Sequence, residues 1–169
     1  MNVNYSFSLT PVSRAVMPAE VIREKILGAE RSMLADPERY DPACKAFPVR
    51  HFKAPGMIAR QMLLPKGGEI IGKIHKHAHL NQISYGHVCV VTEDGPKEIK
   101  GAHTFTSLPG TKRYVLALED TLWTTFHLNP NDLDPDNEVE MKQFEDEIIA
   151  KSYDELQLFL DQPRIEVAK

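Results

Sequence analysis

Three histidines alternate with other residues in the segment His75-Lys76-His77-Ala78-His79. Neutral imidazole is the commonest metal ligand in proteins, and one divalent ion needs three or four converging donors. Successive side chains of a β-strand point to opposite faces, so a regular strand would present all three imidazoles on one face. They would then span about 13 Å, too far for one ion unless the strand bends or bulges. We therefore expect two of the three histidines to act together with donors from other strands.

His127 is the natural further donor, because it ends an apolar strand between Phe126 and Leu128. Asn81 and Gln82 are weaker candidates, since an amide oxygen is a poorer metal ligand than a carboxylate. The alternative interpretation of the cluster is an ordinary polar strand face with solvent-exposed histidines.

The composition is that of a soluble globular protein. The chain has 169 residues, of which 42% are apolar and 26% charged, and its net charge is −4. This length is typical of one domain. No block of Lys and Arg forms the basic face that a duplex-binding protein usually shows, which disfavours nucleic acid as a partner.

The two cysteines, Cys44 and Cys89, are far apart and are expected to be reduced thiols. The N-terminus lacks the basic start and apolar run of a signal peptide. No stretch approaches the ~20 apolar residues of a membrane span. These features predict a cytoplasmic protein without a membrane partner.

The chain divides into three zones that we expect to form a single domain over residues 1–169. Residues 1–48 form a helical N-terminal extension, in which a helix begins near Pro18 and the proline-containing segment 36–42 ends it. Residues 49–129 contain short strands separated by turn residues, which is typical of a sandwich or barrel. Residues 130–169 carry C-terminal helices.

The middle zone contains strand candidates over 57–64, 74–80, 88–92, 97–100, 104–106, 114–117 and 122–127. The Asp94-Gly95 pair predicts a hairpin between the third and fourth of these. In the last zone, a helix is predicted from about Asn137 to Ala150. Ser152 and Glu155 mark the start of a second helix, as cap and third residue of a capping box. The buried stripe of the first helix is expected to contain Val139, Phe144, Ile148 and Ile149. Leu156, Leu158, Phe159 and Leu160 supply the apolar side of the second helix.

Two short motifs in the strand-rich zone resemble those of the cupin superfamily. The turn Pro65-Lys66-Gly67-Gly68, the pair His75-Lys76-His77 and the later Gly86 are similar to the first cupin motif. The segment Leu108-Pro109-Gly110-Thr111-Lys112-Arg113, continued by Ala117-Leu118-Glu119-Asp120-Thr121, is similar to the second. The resemblance covers roughly residues 56–128. It implies a mainly β fold, a cupin-type β-barrel or jelly roll, flanked here by N-terminal and C-terminal helical extensions.

The chain departs from both motifs at ligand positions. The acidic ligand of the first motif is missing, and Asn81 or Gln82 stands at its usual distance. Counting back from Gly86 instead puts His79 in the acidic position and His75 as the second histidine of the pair. Arg113 replaces the histidine of the second motif, a loss that His127 on the next strand would restore. Short cupins with this pattern resemble those of bacteriophage and prophage genomes.

The resemblance implies a divalent metal, Zn, Fe, Mn or Ni, held by His75, His77, His79 and His127 in some combination. Gln82, Tyr85, Arg113 and Tyr114 are candidate ligand-binding residues. Two functions remain open: a metal-dependent cupin enzyme acting on a small molecule, or a non-enzymatic cupin used for binding, sequestration or assembly. Cupin barrels often pair through strand edges, so a homodimer is expected.

Overall fold

The computed structural model describes residues 17–36 and 47–162, and the fold over these residues is mainly β. The helices are α1 (Ala19–Leu34), α2 (Glu138–Ile148) and α3 (Tyr153–Leu160). The strands are β1 (Val49–Ala54), β2 (Met57–Leu64), β3 (Glu69–Ile71), β4 (Ile74–His75), β5 (His79–Thr92), β6 (Gly95–Lys100), β7 (His103–Ser107), β8 (Tyr114–Leu128) and β9 (Ile149–Ala150).

A seven-stranded antiparallel sheet is organised around its two longest strands, β5 and β8. These pair with each other along most of their length, and each changes its second neighbour halfway. The early part of β5 pairs with β7 and its later part with β6. The early part of β8 pairs with β3 and its later part with β2, whose other neighbour is β1. The long strands therefore connect two half-sheets.

Gly86 lies where β5 passes from one half-sheet to the other. The β5–β8 register shifts on both sides of Tyr85 and again after His87. Gly86 has a φ of 110°, a backbone conformation that favours glycine. A Cβ at this position would meet Thr121 Oγ1 at 2.2 Å and the Asp120 carbonyl oxygen at 2.5 Å. The absence of a side chain lets β5 and β8 approach closely at this bend.

The two half-sheets enclose one apolar core. Val88, Val90 and Val115 come from one half and Ile83 and Trp123 from the other, and all five belong to a single cluster of buried side chains. Strands that bend at bulges and pass from one layer to the next form this kind of corner. Beyond Trp123 the inward-facing residues of β5 and β8 become polar, and they include the histidines at the ends of both strands.

The helices pack on the outside and at one end of this core. α1 inserts Ile22 and Ile26 against Cys89 on the outer face of β5, and this cysteine is a buried free thiol, as the sequence predicts. α2 packs Phe144 and Ile148 on Ile58 of β2, at the end where His127 lies. A two-stranded sheet of β4 and β9 joins the histidine segment to the C-terminal helices.

The helix starts follow the sequence closely. The Asn137 side chain accepts hydrogen bonds from the backbone N–H groups of Val139 and Glu140, which caps α2. Ser152 accepts from the N–H of Glu155 and caps α3, as predicted. α1 ends at Leu34, whereas the predicted ending segment beyond Asp36 lies outside the described residues.

Four predicted features of the elements are wrong. The single strand over 74–80 is broken after His75, and the separate strands over 114–117 and 122–127 are one strand, β8. Val139 was expected to be buried, but it is 77% exposed because α2 turns Phe144 and Ile148 to the sheet instead. Leu158 and Leu160, which the sequence places on the apolar side of the second helix, are exposed on α3, which buries Leu156. Cys44 lies outside the described residues.

Candidate metal centre

Three histidine side chains converge at one end of the core. His75, His79 and His127 each offer a ring nitrogen, and these nitrogens all lie within 4.8 Å of one another. The ring centroids are 4.2 Å apart between His75 and His79, 4.8 Å between His79 and His127, and 5.0 Å between His75 and His127. His79 and His127 are buried, and His75 is half-buried. A small adjustment of such rings would bring three nitrogens to one ion at about 2.1 Å.

The strand register brings His79 and His127 face to face. Leu80 is the partner of Phe126 across the antiparallel β5–β8 pair, so the next positions outward are His79 and His127. Because side chains alternate along a strand, His79 and Asn81 of β5 point inward together. Their exposed neighbours Leu80 and Gln82 lie on the outer face.

A bend between β4 and β5 brings His75 to the same place. The backbone N–H of Lys76 donates to the Ile148 carbonyl oxygen, and the Lys76 ammonium contacts the Asp146 carbonyl oxygen and the Glu155 carboxylate. These contacts with the C-terminal elements stabilise a bend at Lys76, where the chain leaves the strand conformation. His75 and His79, four positions apart, therefore meet across the bend and not along a strand.

His77 lies apart from the cluster. Its side chain is exposed and its ring sits edge-on to Phe159 of α3, with centroids 5.1 Å apart. The strand alternation that would point all three neighbouring histidines the same way is interrupted at Lys76 and His77. The structure thus brings together His75, His79 and His127 and leaves His77 outside.

The hydrogen bonds fix the tautomers of two rings. His79 Nδ1 lies 3.4 Å from the His77 carbonyl oxygen, so Nδ1 carries the proton and Nε2 the lone pair. His127 Nε2 lies 3.0 Å from the Thr125 hydroxyl, which itself donates to the Arg60 carbonyl oxygen. His127 therefore donates from Nε2 and keeps its lone pair on Nδ1. Each ring is oriented by its non-ligating nitrogen, as metal-binding histidines usually are.

All three imidazoles are neutral at physiological pH. Burial lowers the pKa of His75 to about 2, with further lowering by His79 and His127. Burial also lowers the pKa of His127 to about 3 and that of His79 to about 4. A metal ion needs the deprotonated ring, so these groups require no proton loss before binding at pH 7.

A second polar layer lies directly beneath the histidines. Arg113, at the end of the loop before β8, donates from its two terminal nitrogens to Asn81 Oδ1 at 3.1 Å and to Ser107 Oγ. Asn81 Oδ1 also accepts from the Trp123 indole at 3.1 Å, and Asn81 Nδ2 donates to Ser107 Oγ at 2.8 Å. Ser107 is the strand partner of His79. The guanidinium is thereby fixed beside the cluster.

The candidate ligand-binding residues lie in different places. Arg113 is buried beside the histidines. Gln82 and Tyr85 are exposed on β5, and Tyr114 is buried where α1 packs, on the opposite side of the barrel wall from the core. Ser107 was missed by the sequence analysis, since only the pairing of β7 with β5 reveals its position opposite His79. Asn81 was considered as a metal donor, but its amide is occupied by Arg113, Ser107 and Trp123.

The donor set fits a divalent transition metal. Of the expected metals, three neutral imidazoles suit Zn, Fe and Ni better than Mn, which prefers oxygen ligands, and they leave further coordination positions open. The Nδ1 atom of His75 is buried and has no hydrogen-bond partner among the described residues. An unsatisfied buried ring nitrogen costs free energy that a bound metal ion or an ordered ligand would recover. The cluster is thus chemically suited to hold a metal through His75, His79 and His127.

Solved structures similar to this chain include several cupins. An RmlC-like cupin from Shewanella frigidimarina is 17% identical with a TM-score of 0.43, over 51% of this chain and 79% of that one. A cupin-2 domain containing protein from the same organism is 8% identical with a TM-score of 0.42, over 48% and 80%. A cupin 2 conserved barrel domain protein from Leptotrichia buccalis is 12% identical with a TM-score of 0.45, over 50% and 41%.

No family model matches the sequence, and no curated protein is significantly similar to it. In the part of the chain that the structure describes, none of the helices has the length and apolar character needed to cross a bilayer.

Proposed function

We propose that the protein is a small cupin whose histidine pocket binds one divalent metal ion and, beside it, a small molecule. The observation that carries this proposal is the convergence of His75, His79 and His127, with ring nitrogens within 4.8 Å of one another. Three neutral rings, of which His79 and His127 are buried and oriented by hydrogen bonds and His75 has a buried Nδ1 without a partner among the described residues, are a costly arrangement without a ligand. Support also comes from the two sequence motifs that resemble those of cupins.

A bound metal would supply Lewis acidity and a fixed positive charge at the three imidazoles. The chain's own residues orient the rings: the His77 carbonyl oxygen holds His79, and the Thr125 hydroxyl holds His127. Phe144 packs edge-on to His127 at 6.2 Å between centroids and limits access of water from the α2 side.

The proposed site could serve either a metal-dependent enzyme or a protein that only binds its ligand. The residues around the cluster favour binding without catalysis. The charges that perturb the pKa values of the three rings are other histidines and the arginines Arg60 and Arg113. None of the described carboxylates is among them. General acid–base catalysis usually uses a group poised near neutral pH within hydrogen-bond reach of the substrate. The described residues offer no such group close to the cluster, so we favour binding over acid–base chemistry.

The test is metal content, measured by elemental analysis of tag-free protein reconstituted with Zn²⁺, Fe²⁺, Mn²⁺ or Ni²⁺ and then dialysed. We expect about one ion per chain in the wild type. His75→Ala and His127→Ala should each lose it, because two remaining imidazoles bind a divalent ion weakly.

His77→Ala is the matched control, since its ring lies outside the cluster, and it should retain the full metal content. Retention of metal by His75→Ala and His127→Ala, or absence of metal from the reconstituted wild type, would overturn the proposal.

We also propose that the protein forms a homodimer through the outer face of the larger half-sheet. Phe52, Ala59, Phe126 and Leu80 are successive register partners across β1, β2, β8 and β5, and Thr106 of β7 continues the row. Phe52 and Leu80 are each about half exposed. The row carries no charge of either sign, so a second copy of the same face would meet no like-charge repulsion. A two-fold pairing of this face therefore suits a second copy of the chain.

A further inference from the structure

Arg113 is a buried cation whose partners among the described residues are all neutral. The residue is only 8% exposed, and in the described part of the chain its hydrogen-bond acceptors are the Asn81 amide oxygen and the Ser107 hydroxyl. Its guanidinium also lies near the rings of Phe105 and Trp123, at 5.9 and 5.8 Å from their centroids. Among the described residues it forms no ion pair with a carboxylate. Buried charges in proteins are usually paired, so an uncompensated buried guanidinium is unusual.

Around Arg113 the hydrogen-bond acceptors already have partners, whereas several hydrogen-bond donors have none among the described residues. Asn81 Oδ1 accepts from both Arg113 and the Trp123 indole. Ser107 Oγ accepts from both Asn81 and Arg113, so its own hydrogen must point elsewhere. A guanidinium has five N–H donors, and two are taken by these contacts. The layer beneath the histidines thus presents a hydroxyl and several N–H groups, and a ligand that satisfies them must be rich in acceptors.

The electrostatics of the site point the same way. Burial lowers the pKa of Arg113 to about 10, which leaves it protonated at neutral pH. Arg113 and Arg60 both lower the pKa of His75, and no described carboxylate acts against them. A divalent ion on the three neutral imidazoles would add two more positive charges. An anion in the open coordination positions would compensate a site that the described residues leave positive.

We propose that the pocket takes a small organic carboxylate, held by Arg113 and Ser107 beside the metal. The inference rests on the proposed function, because it places the anion next to an ion bound by His75, His79 and His127. The planar fork of a guanidinium matches the two oxygens of a carboxylate. Gly72 leaves room for the arginine, since a Cβ there would lie 3.2 Å from Arg113 Cγ.

The experiment is a titration of Co²⁺-reconstituted protein with acetate and, separately, with inorganic phosphate. Visible absorption of Co²⁺ reports directly on a change in its coordination, and calorimetry gives the dissociation constant. We expect saturable acetate binding with a spectral change in the wild type. Arg113→Gln should weaken acetate binding roughly tenfold or more, because a charge-assisted hydrogen bond is lost. Arg113→Lys should restore part of it, since it keeps the charge but not the fork.

Arg50→Gln is the matched control, because it removes the same charge from an exposed position on β1, and its acetate affinity should equal that of the wild type. Cobalt content and thermal unfolding are measured on every sample. A well-folded, fully metallated Arg113→Gln protein that binds acetate like the wild type would overturn the inference while leaving the metal site intact. Tighter binding of phosphate than of acetate would overturn the carboxylate class. A wild type that binds no metal would overturn both the inference and the proposed function.

Discussion

The rings of His75 and His127 are stacked, with centroids 5.0 Å apart and planes inclined by 14°. One ring comes from the two-residue strand β4 and the other from the end of the fifteen-residue strand β8. Two imidazoles do not stack this closely while both are charged, because two imidazolium ions would repel each other. The stacking therefore couples the geometry of the site to its protonation.

The metal-free protein should lose stability as the pH falls below about 6.5. The folded-state pKa values of His75, His127 and His79 are depressed to about 2, 3 and 4, whereas an unfolded imidazole titrates near 6.5. Below pH 6.5 the unfolded chain binds more protons than the folded chain, so acid favours unfolding. The stability contributed by the neutral rings is fully present above pH 6.5 and is lost as the pH falls towards 4 and below.

Urea unfolding in EDTA at pH 7.5, 6.5, 5.5 and 5.0 measures this effect. The free energy of unfolding should fall with a slope approaching about 1.4 kcal/mol per pH unit for each such imidazole. His79→Asn should flatten the slope, and His103→Asn, which removes an exposed imidazole at the start of β7, is the control. Equal slopes for the wild type and His79→Asn would contradict the burial of a neutral ring at this position.

Gly86→Ala should destabilise the fold by about 3 kcal/mol or more. The positive φ costs an alanine roughly 1–2 kcal/mol, and the clash with backbone atoms of β8 adds an overpacking cost of about 1–3 kcal/mol. Gly95→Ala is the matched control, since Gly95 has a similar φ of 98° but open space around its Cβ position.

Chemical denaturation of both variants separates the two costs. Gly95→Ala should lose only the backbone contribution. A loss in Gly86→Ala no larger than that in Gly95→Ala would mean that β5 and β8 do not approach as closely as described.

Leu80→Lys should convert the proposed dimer into a monomer. The substitution places a charge in the middle of the uncharged row on the outer face, and its copy on the partner would double that charge in the interface. Light scattering after size-exclusion chromatography gives the molar mass directly.

Val139→Lys is the matched control, because Val139 is an exposed apolar residue on α2, away from the row, and this variant should remain dimeric. A wild type with the molar mass of one chain at tens of micromolar would refute the dimer. Dissociation of both variants to monomers would also refute it, because a charge outside the row would then have the same effect as a charge within it.

The local features of the fold could be predicted from the sequence where neighbouring residues determine them. The strand Met57–Leu64 has the predicted limits because an apolar run ends at a Pro-Lys-Gly-Gly turn. Ser152 and Glu155 form the predicted helix start because a cap depends on residues three positions apart. The buried free thiol of Cys89 follows from its place in the β-branched segment 88–92, which forms the end of the longer strand β5.

The remaining features depend on contacts between distant residues. The bend after His75 is held by the Ile148 carbonyl oxygen, and no property of the histidine segment itself reveals that partner. Val139 and Phe144 both fit an apolar helical stripe, and only the position of Ile58 decides which one is buried. Counting back from Gly86 selected His75 and His79, but the place of Ser107 follows only from the pairing of β7 with β5.

The attachment of His75 to the C-terminal elements has a consequence for when the protein can acquire a metal. β4 pairs with β9, and the backbone N–H of Lys76 donates to the carbonyl oxygen of Ile148, the last residue of α2. His75 is therefore held in place by residues that come after β8 in the sequence. On the ribosome, His79 and His127 can face each other as soon as β8 is made. The third imidazole reaches its place only after β9 has left the exit tunnel and docked. Metal uptake at the proposed site would therefore come late, after the C-terminal helices have been synthesised and have docked.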